Sequence, residues 1–589
     1  MKKYLFLLLI FTLNFSSCTK DFLKEHLVSD VSYDHYDTEE GVESLINSCY
    51  AHLRDWAGTE TSLRMTQFGT DIYTYTDVAA GSEWHLYNAN LNPADGDIAS
   101  IWNSFYKGIN SCNIAIEKIP TVKGEAFLKD ENGKNVRLGE VKFLRAYYYF
   151  ILVQTFGDIP LLTNGNISVE TDIKRSSVTD VYQLIINDLI FAAAHLPESQ
   201  DDYGRATKAA AQHLLAKVYL TRGSAISDQR GQKPTDMDSA AYYADIVIAE
   251  KGSLLPDYND AWRQDNERNK EVLFSVQYTP DLLMNGNGNQ TNLFYIPQYD
   301  LLPGMDRDLA NGRPLVRLRP SNYLYNLYNR KIDSRFYKAY KTVFFANASN
   351  PSEYPKWTQQ DAPSPELVGK AKFALGDTAI FFSFDENVPD SRVDKRPYNW
   401  FPRNKWTERE FPFYQYEMDP NRSSVNDSRG GLDAKLMMLS ETYLIAAEAY
   451  GRMGNYAKAT DLINVVRDRA AYKEGEAKTP NFYQTDGGNV SDLYASTKKQ
   501  MEISENDINS PDKLINFILE EKARELCGIP ERWFDLVRTE TLYNRVKMYN
   551  PAAAQNIQPY HKLRPIPQSH IDKISNPGPI SEEQNLGYY

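Results

Sequence analysis

The chain has 589 residues and a formal net charge of −13 at pH 7, from 78 acidic and 65 basic side chains. An acidic protein gains nothing from releasing counterions on a phosphate backbone, which excludes nucleic acid as a favoured partner. After Cys18 the chain has three widely separated cysteines, Cys49, Cys112 and Cys527. They form neither a disulfide framework nor the ligand spacing of a zinc site.

The N-terminus has the parts of a secretory signal, with Lys2 and Lys3, a short apolar run, and small residues before Cys18. The apolar run is about 10 residues long, whereas a membrane-spanning helix needs about 20. The Ser-Ser-Cys sequence looks like a bacterial lipobox. We therefore predict a signal peptide over residues 1–17, lipidation of Cys18 and a lipidated tether over residues 18–30. The simpler alternative is an ordinary signal with a chance cysteine.

Helical spacing of apolar and small residues recurs along the rest of the chain. The clearest example, residues 434–470, matches the tetratricopeptide pattern at Tyr443, Ala447 and Gly454. Similar patterns lie at 141–162, at 206–223 with 238–250, and at 514–528. We predict a mainly α fold, a tetratricopeptide-like scaffold of four helix-pair units with long irregular loops and short β-strands.

Two stretches lack the helical period and are rich in Tyr, Asp, Asn, Gly and Pro, a composition typical of loops with short strands. One is residues 66–100 and the other lies within 266–430. Loops carried by a rigid scaffold are the usual place for binding. We therefore predict an N-terminal repeat region over 31–265, a loop-rich ligand-binding region over 266–430, and a C-terminal repeat region over 431–589.

Five segments spread along the chain have distinctive sequences. They are SSCTKDFL at the start, LNPADGDIASIWNSFYKGINSCNIAIEKI (91–119), RAYYYFILVQTFGDIPLL (145–162), EEKARELCGIPERWFDLVRT (520–539) and RPIPQSHIDKISNPG (564–578). In this order they resemble the SusD/RagB family of outer-membrane nutrient-binding lipoproteins of Bacteroidetes. The chain departs from the family at Gly528–Glu531, where Gly-Glu-Gly is common before the arginine.

The resemblance implies a lipoprotein of the outer membrane, held by its lipid anchor alone and exposed at the cell surface. It implies capture of oligosaccharide or polysaccharide and delivery to a SusC-like TonB-dependent transporter. It implies no catalysis and no cofactor or metal.

Sugar binding needs aromatic rings for the apolar faces of the pyranose, with polar side chains around the hydroxyl groups. An unpaired polar group costs about 1–3 kcal/mol, so the polar groups must be well placed. The segment TDIYTYTDVAAGSEWHLYN provides most of the candidates, and NQTNLFYIPQYD and RPYNWFPRNKW provide the others. The predicted carbohydrate-binding residues are Asp71, Tyr73, Tyr75, Trp84, Tyr87, Asn88, Tyr295, Trp400 and Arg403.

Other interpretations stay open at the level of sequence. The same architecture could bind peptides, or the chain could be a secreted glycoside hydrolase or a purely structural repeat scaffold. No nucleophile elbow, zinc helix or phosphate-binding loop supports an enzyme. In the 520–539 segment we expect structural ion pairs from Arg524, Glu525, Arg532 and Asp535, with Trp533 in the core.

Overall fold

The computed structural model describes residues 33–76, 80–166, 168 and 170–589. The predicted signal peptide, Cys18 and the tether lie outside the described residues. None of the described helices has the length and apolarity that crossing a membrane requires.

The described residues form a predominantly helical protein, as predicted. Its α-helices are α1 (Glu39–Ala51), α2 (Glu60–Thr66), α3 (Ser82–Leu86), α4 (Gly96–Lys118), α5 (Glu131–Phe156), α6 (Val178–His195), α7 (Lys208–Gly223), α8 (Asp236–Lys251), α9 (Tyr258–Trp262), α10 (Asn322–Leu327), α11 (Arg335–Ala339), α12 (Asp390–Val393), α13 (Leu439–Arg452), α14 (Tyr456–Ala470), α15 (Asn481–Gln484), α16 (Lys498–Met501), α17 (Pro511–Glu525), α18 (Arg532–Arg538), α19 (Leu542–Tyr549), α20 (Gln568–Ile571) and α21 (Ile580–Glu583).

The strands are short and form four small sheets. The strands are β1 (Tyr73–Thr74), β2 (Val272–Val276), β3 (Arg319–Pro320), β4 (Tyr340–Lys341), β5 (Val343–Phe345), β6 (Thr378–Phe382), β7 (Asn399–Phe401), β8 (Phe413–Tyr414) and β9 (Ala434–Met438). Strand β1 pairs with β3, β2 with β9 and β4 with β8, all antiparallel, while β6 lies between antiparallel β5 and parallel β7.

The long helices pack as four tetratricopeptide-like pairs, α1 with α4, α5 with α6, α7 with α8, and α13 with α14. Neighbouring pairs touch through α4 and α5, α6 and α7, and α8 and α13, so the scaffold buries one continuous core. Polar side chains start these helices by accepting backbone N–H groups, as Thr38 does for α1 and Ser177 for α6. Gly157, at φ +73°, ends α5.

The fourth pair differs from the one that the sequence indicates. Residues 514–525 of the predicted 514–528 segment do lie in a helix, α17, but α17 packs across α13 instead of forming a further repeat. The pair that completes the set is α1 with α4, whose partners are far apart in the chain because the 52–95 segment lies between them. Gly451 allows α13 and α17 to pack closely, because a Cβ atom at this position would lie only 2.5 Å from Leu514 Cδ2.

The loop-rich region leaves and rejoins the scaffold at one place. Strand β2 enters it, and β9, which leads directly into α13, pairs with β2. The region is also tied to α17 through α11, where the fully buried Arg335 donates to Glu521 Oε1 at 2.7 Å and Glu525 Oε2 at 3.0 Å. This double attachment supports the short elements that carry the candidate site.

Candidate functional site

Trp84 and Tyr87 lie inside the protein. The sequence places both in a loop, but Trp84 is on the short helix α3, and Tyr87 ends this helix in a left-handed conformation at φ 52°. Their side chains are 0% and 3% exposed. The guanidinium carbon of Arg564 lies 4.9 Å from the Trp84 ring and 5.6 Å from the Tyr87 ring. These aromatic faces are covered by the protein itself.

Asp71 and Tyr73 are also buried, and their polar atoms are bound to the C-terminal helices. Asp71 accepts hydrogen bonds from Arg532 Nε at 2.8 Å and Nη2 at 2.6 Å, and from Arg545 Nε at 2.8 Å. Burial alone raises the pKa of Asp71, but the two guanidinium groups outweigh burial and lower the pKa. The Tyr73 hydroxyl donates to the Cys527 carbonyl at 2.9 Å.

Tyr295 and Trp400 complete the set of covered rings. Tyr295 is 1% exposed and lies edge-on to Tyr73, with the ring centroids 5.9 Å apart. Trp400 is 6% exposed, and its indole N–H donates to Ser383 Oγ at 2.8 Å. Sugar contact by these buried residues stays a prediction, and in this conformation it would require their covering groups to move.

Tyr75, Asn88 and Arg403 keep partly exposed side chains. Tyr75 follows β1 and lies edge-on to His85, with ring centroids 6.0 Å apart. Arg403 Nη2 donates to Asn326 Oδ1 at 2.7 Å, which places Arg403 against α10. The structure thus places Arg403 against α10, whereas Tyr75 packs beside His85.

Helix α10 is positioned by β1 and β3. Strand β3 pairs with β1 through Thr74 and Arg319, and Ser321 follows directly. Ser321 donates its hydroxyl to the Asp71 carbonyl at 2.7 Å and accepts the Leu324 N–H at 3.2 Å, so it caps α10 and fixes it to β1.

A pair of tyrosines lies at the other side of α10. Tyr323 and Tyr549 stack with their centroids 3.7 Å apart and their planes at 19°, and both are half-buried. Arg545 donates to the Tyr323 hydroxyl, and its guanidinium carbon lies 5.4 Å and 5.3 Å from the two rings. Thr74 donates to Asn550 Oδ1 at 2.9 Å, which joins this pair to β1.

We call this arrangement the α10 surface, defined by Arg319, Tyr323, Asn326, Arg403 and Tyr549, whose side chains are all half-buried or exposed. It offers aromatic rings beside an amide and guanidinium groups. Aromatic rings present an apolar face and the polar groups act as directional hydrogen-bonding partners. Such a set can hold a flat polyhydroxylated ligand without reacting with it.

Sequence reasoning missed Tyr323, Asn326, Tyr549 and Arg319. The run SNYLYNLYNR carried a signal, because it combines a Ser cap with tyrosines and asparagines spaced along a short helix. No local signal in the sequence joins Tyr549 to that run, because Tyr323 and Tyr549 are 226 positions apart.

Two family models match the chain. One, described as "Starch-binding associating with outer membrane", covers residues 21–220, and the other, described as "SusD family", covers residues 270–588. SusD-like protein P2 of Formosa agariphila is 24% identical over 91% of this chain and 91% of its own length. A SusD-like protein of Bacteroides ovatus is 32% identical over 32% of this chain and 34% of its own length.

Solved structures share the fold. A laminarin-binding SusD-like protein aligns with a TM-score of 0.61 at 22% identity, over 94% of this chain and all of that chain (100%). NanU of B. fragilis aligns with a TM-score of 0.64 at 20% identity, over 96% of this chain and 100% of its own. Because the second family model alone spans more than half of the sequence, the chain belongs to the SusD family.

Proposed function

We propose that this protein binds oligosaccharide or polysaccharide at the outer membrane and passes it to a SusC-like TonB-dependent transporter. The observation that carries the proposal is the α10 surface, where one short helix carries Tyr323, stacked on Tyr549, and Asn326, hydrogen-bonded to Arg403. The bound sugar is released unchanged, because the protein acts as a receptor and not as an enzyme.

The chemistry of the α10 surface suits a sugar. A pyranose has an apolar C–H face that can lie on a tyrosine ring and hydroxyl groups that need donors and acceptors at its edge. The Asn326 amide offers both, while Arg403 and Arg319 offer several donors in a fixed plane. Arg403 is only partly screened by Glu386, whose Oε1 lies 4.0 Å away, so its guanidinium keeps capacity for a ligand.

The relatives support the same class of ligand. The first family model is described by starch binding, one relative is named Starch-binding protein SusD of Bacteroides thetaiotaomicron, and one solved neighbour is named for laminarin binding. These are different glucans, so the likeness supports the ligand class and leaves the particular glycan to experiment.

Acylation of Cys18 would tether the protein to the outer membrane, with the described helical body at the cell surface. One acyl chain binds a bilayer weakly, at about 0.8 kcal/mol per buried methylene, whereas several chains hold stably. The transporter partner is inferred from family membership. Co-purification from membranes by a tag on this chain tests it, and recovery of no TonB-dependent barrel argues against delivery.

The glycan proposal is tested by affinity electrophoresis of the chain from residue 19 across a panel of polysaccharides. We expect one glycan to retard the wild type, and Tyr549→Ala and Arg403→Ala to lose the retardation. The matched control is Tyr242→Ala on α8, an exposed tyrosine far along the chain from the α10 surface. Retardation by peptides alone would favour a peptide receptor, and steady release of reducing ends would indicate a hydrolase.

A further inference from the structure

Arg564 is a buried cation without a carboxylate partner among the described residues. Its side chain is 0% exposed, and Nη2 donates a hydrogen bond to the Met65 carbonyl at 3.3 Å. Nε and Nη1 have no acceptor within the described part of the chain. Leaving a buried charge unpaired is costly, and native proteins rarely do so.

Three aromatic side chains surround the guanidinium group. Its carbon lies 4.4 Å from the Trp533 ring, 4.9 Å from the Trp84 ring and 5.6 Å from the Tyr87 ring. We call these four side chains the Arg564 cage. The ring faces stabilise the cation in part, because each presents the negative side of its quadrupole.

The polar atoms of the cage lack well-aligned hydrogen-bonding partners. Trp84 Nε1, Trp533 Nε1 and the Tyr87 hydroxyl are buried and, like Arg564 Nε and Nη1, make no well-aligned hydrogen bond within the described residues, although the Tyr87 hydroxyl lies near both Arg564 and Trp533. Four of these five atoms can only donate. Unsatisfied buried groups of this kind usually indicate a bound water or ion.

The charge balance distinguishes an ion from water. Asp71, a buried carboxylate of this neighbourhood, is shared by Arg532 and Arg545, and within the described part of the chain it forms no ion pair with Arg564. Two guanidinium groups already outnumber that carboxylate, and Arg564 adds a third positive charge. Donor-only groups around surplus positive charge favour an anion over a neutral water.

We propose that the Arg564 cage holds a small monovalent inorganic anion of chloride size. The anion would accept from the guanidinium edge, the two indole N–H groups and the Tyr87 hydroxyl. It would fasten α3, α18 and the 564–567 segment to one another, which supports residues 81–88. The proposal does not depend on sugar binding.

The direct test is a crystal structure of the chain from residue 19, grown with sodium chloride as the halide source, with diffraction recorded at long wavelength. Chloride scatters anomalously there and water does not. We expect an anomalous peak beside the Arg564 guanidinium, comparable to the peaks of the methionine sulfurs. Density without an anomalous peak, or no density, overturns the proposal.

A stability measurement provides a second test. At constant ionic strength, replacing chloride by gluconate should lower the melting temperature of the wild type. Tyr87→Phe removes one donor and keeps the ring, so it should weaken the apparent chloride affinity about tenfold or more. The control Trp262→Phe removes a buried indole N–H that also lacks a partner in the described residues but lies outside the cage. Equal chloride dependence in wild type and Tyr87→Phe contradicts the proposal.

Discussion

Arg532 Nη2 donates a hydrogen bond to Asp71 Oδ2 at 2.6 Å, although the two residues are 461 positions apart in the chain. Arg545 donates to the same carboxylate oxygen at 2.8 Å. This contact joins the C-terminal family motif to the segment that leads into β1. Asp71 therefore links the C-terminal helices to α10, because Ser321, the cap of α10, donates to its carbonyl oxygen.

Asp71→Asn should destabilise the protein by about 3–5 kcal/mol, because it leaves two buried guanidinium groups without their anion. The free energy of unfolding in urea measures the effect. The control Asp265→Asn removes an exposed acid that pairs with the half-exposed Arg263, and such surface pairs contribute about 0–1 kcal/mol. Equal effects of the two substitutions would contradict the structural role of Asp71.

Glu531→Gln should change the pH dependence of stability. Burial and the neighbouring Glu441 raise the pKa of Glu531 to about 8, from an ordinary value of 4.5. The folded state thus keeps a proton that the unfolded state releases, so stability falls between pH 4.5 and pH 8. Glutamine cannot titrate, so the variant should lose this slope and gain stability relative to wild type as pH rises.

Urea unfolding at several pH values checks the Glu531 prediction. The free energy of unfolding that the variant gains relative to wild type should be smallest at pH 4.5 and reach its full size above pH 8. A variant that is less stable than wild type at every pH would contradict the prediction. That result would mean that Glu531 is ionised in the folded protein and is stabilised by its ion pair with Lys217.

Gly451→Ala should destabilise the scaffold by about 1–3 kcal/mol, because the added methyl group overpacks the contact between α13 and α17. A Cβ there would lie 2.5 Å from Leu514 Cδ2 and 2.6 Å from Leu514 Cδ1. The control Gly96→Ala at the start of α4 adds a methyl group with no atom within 4 Å. We expect the control to be neutral or slightly stabilising in the same thermal melt.

The three described cysteines should not react with a thiol reagent in the native protein. Cys49, Cys112 and Cys527 are free and buried, and burial raises the pKa of Cys49 and raises that of Cys527 to about 12. Thiolates are the reactive form, so both burial and pKa oppose reaction. Ellman's reagent should detect no thiol before unfolding and three in urea. Fast reaction of any thiol in the native state contradicts this burial.

Much of the scaffold was predictable because helical periodicity is local. The 434–470 segment carries both helices and their turn within one continuous pattern, and it forms α13 and α14 as predicted, except that its first five residues form strand β9. The structural ion pairs of Arg524, Glu525, Arg532 and Asp535 and the burial of Trp533 were also predictable and are confirmed. The pair α1 with α4 was missed, because its register depends on contacts across an intervening segment.

The candidate site was harder to predict because composition does not report burial. Trp84 and Tyr295 belong to loop-like sequence but are covered by residues far away in the chain, such as Arg564 over Trp84. Exposure at the α10 surface depends on β1, β3 and α19 meeting, and no local pattern specifies this meeting.

The most direct test of the account is a crystal structure of the chain bound to an oligosaccharide of the glycan that retards it. We predict a sugar ring against Tyr549 or Tyr323, with hydroxyl groups within hydrogen-bonding distance of Asn326 and Arg403. Sugar density elsewhere on the protein, with the α10 surface free of ligand, would contradict the central claim.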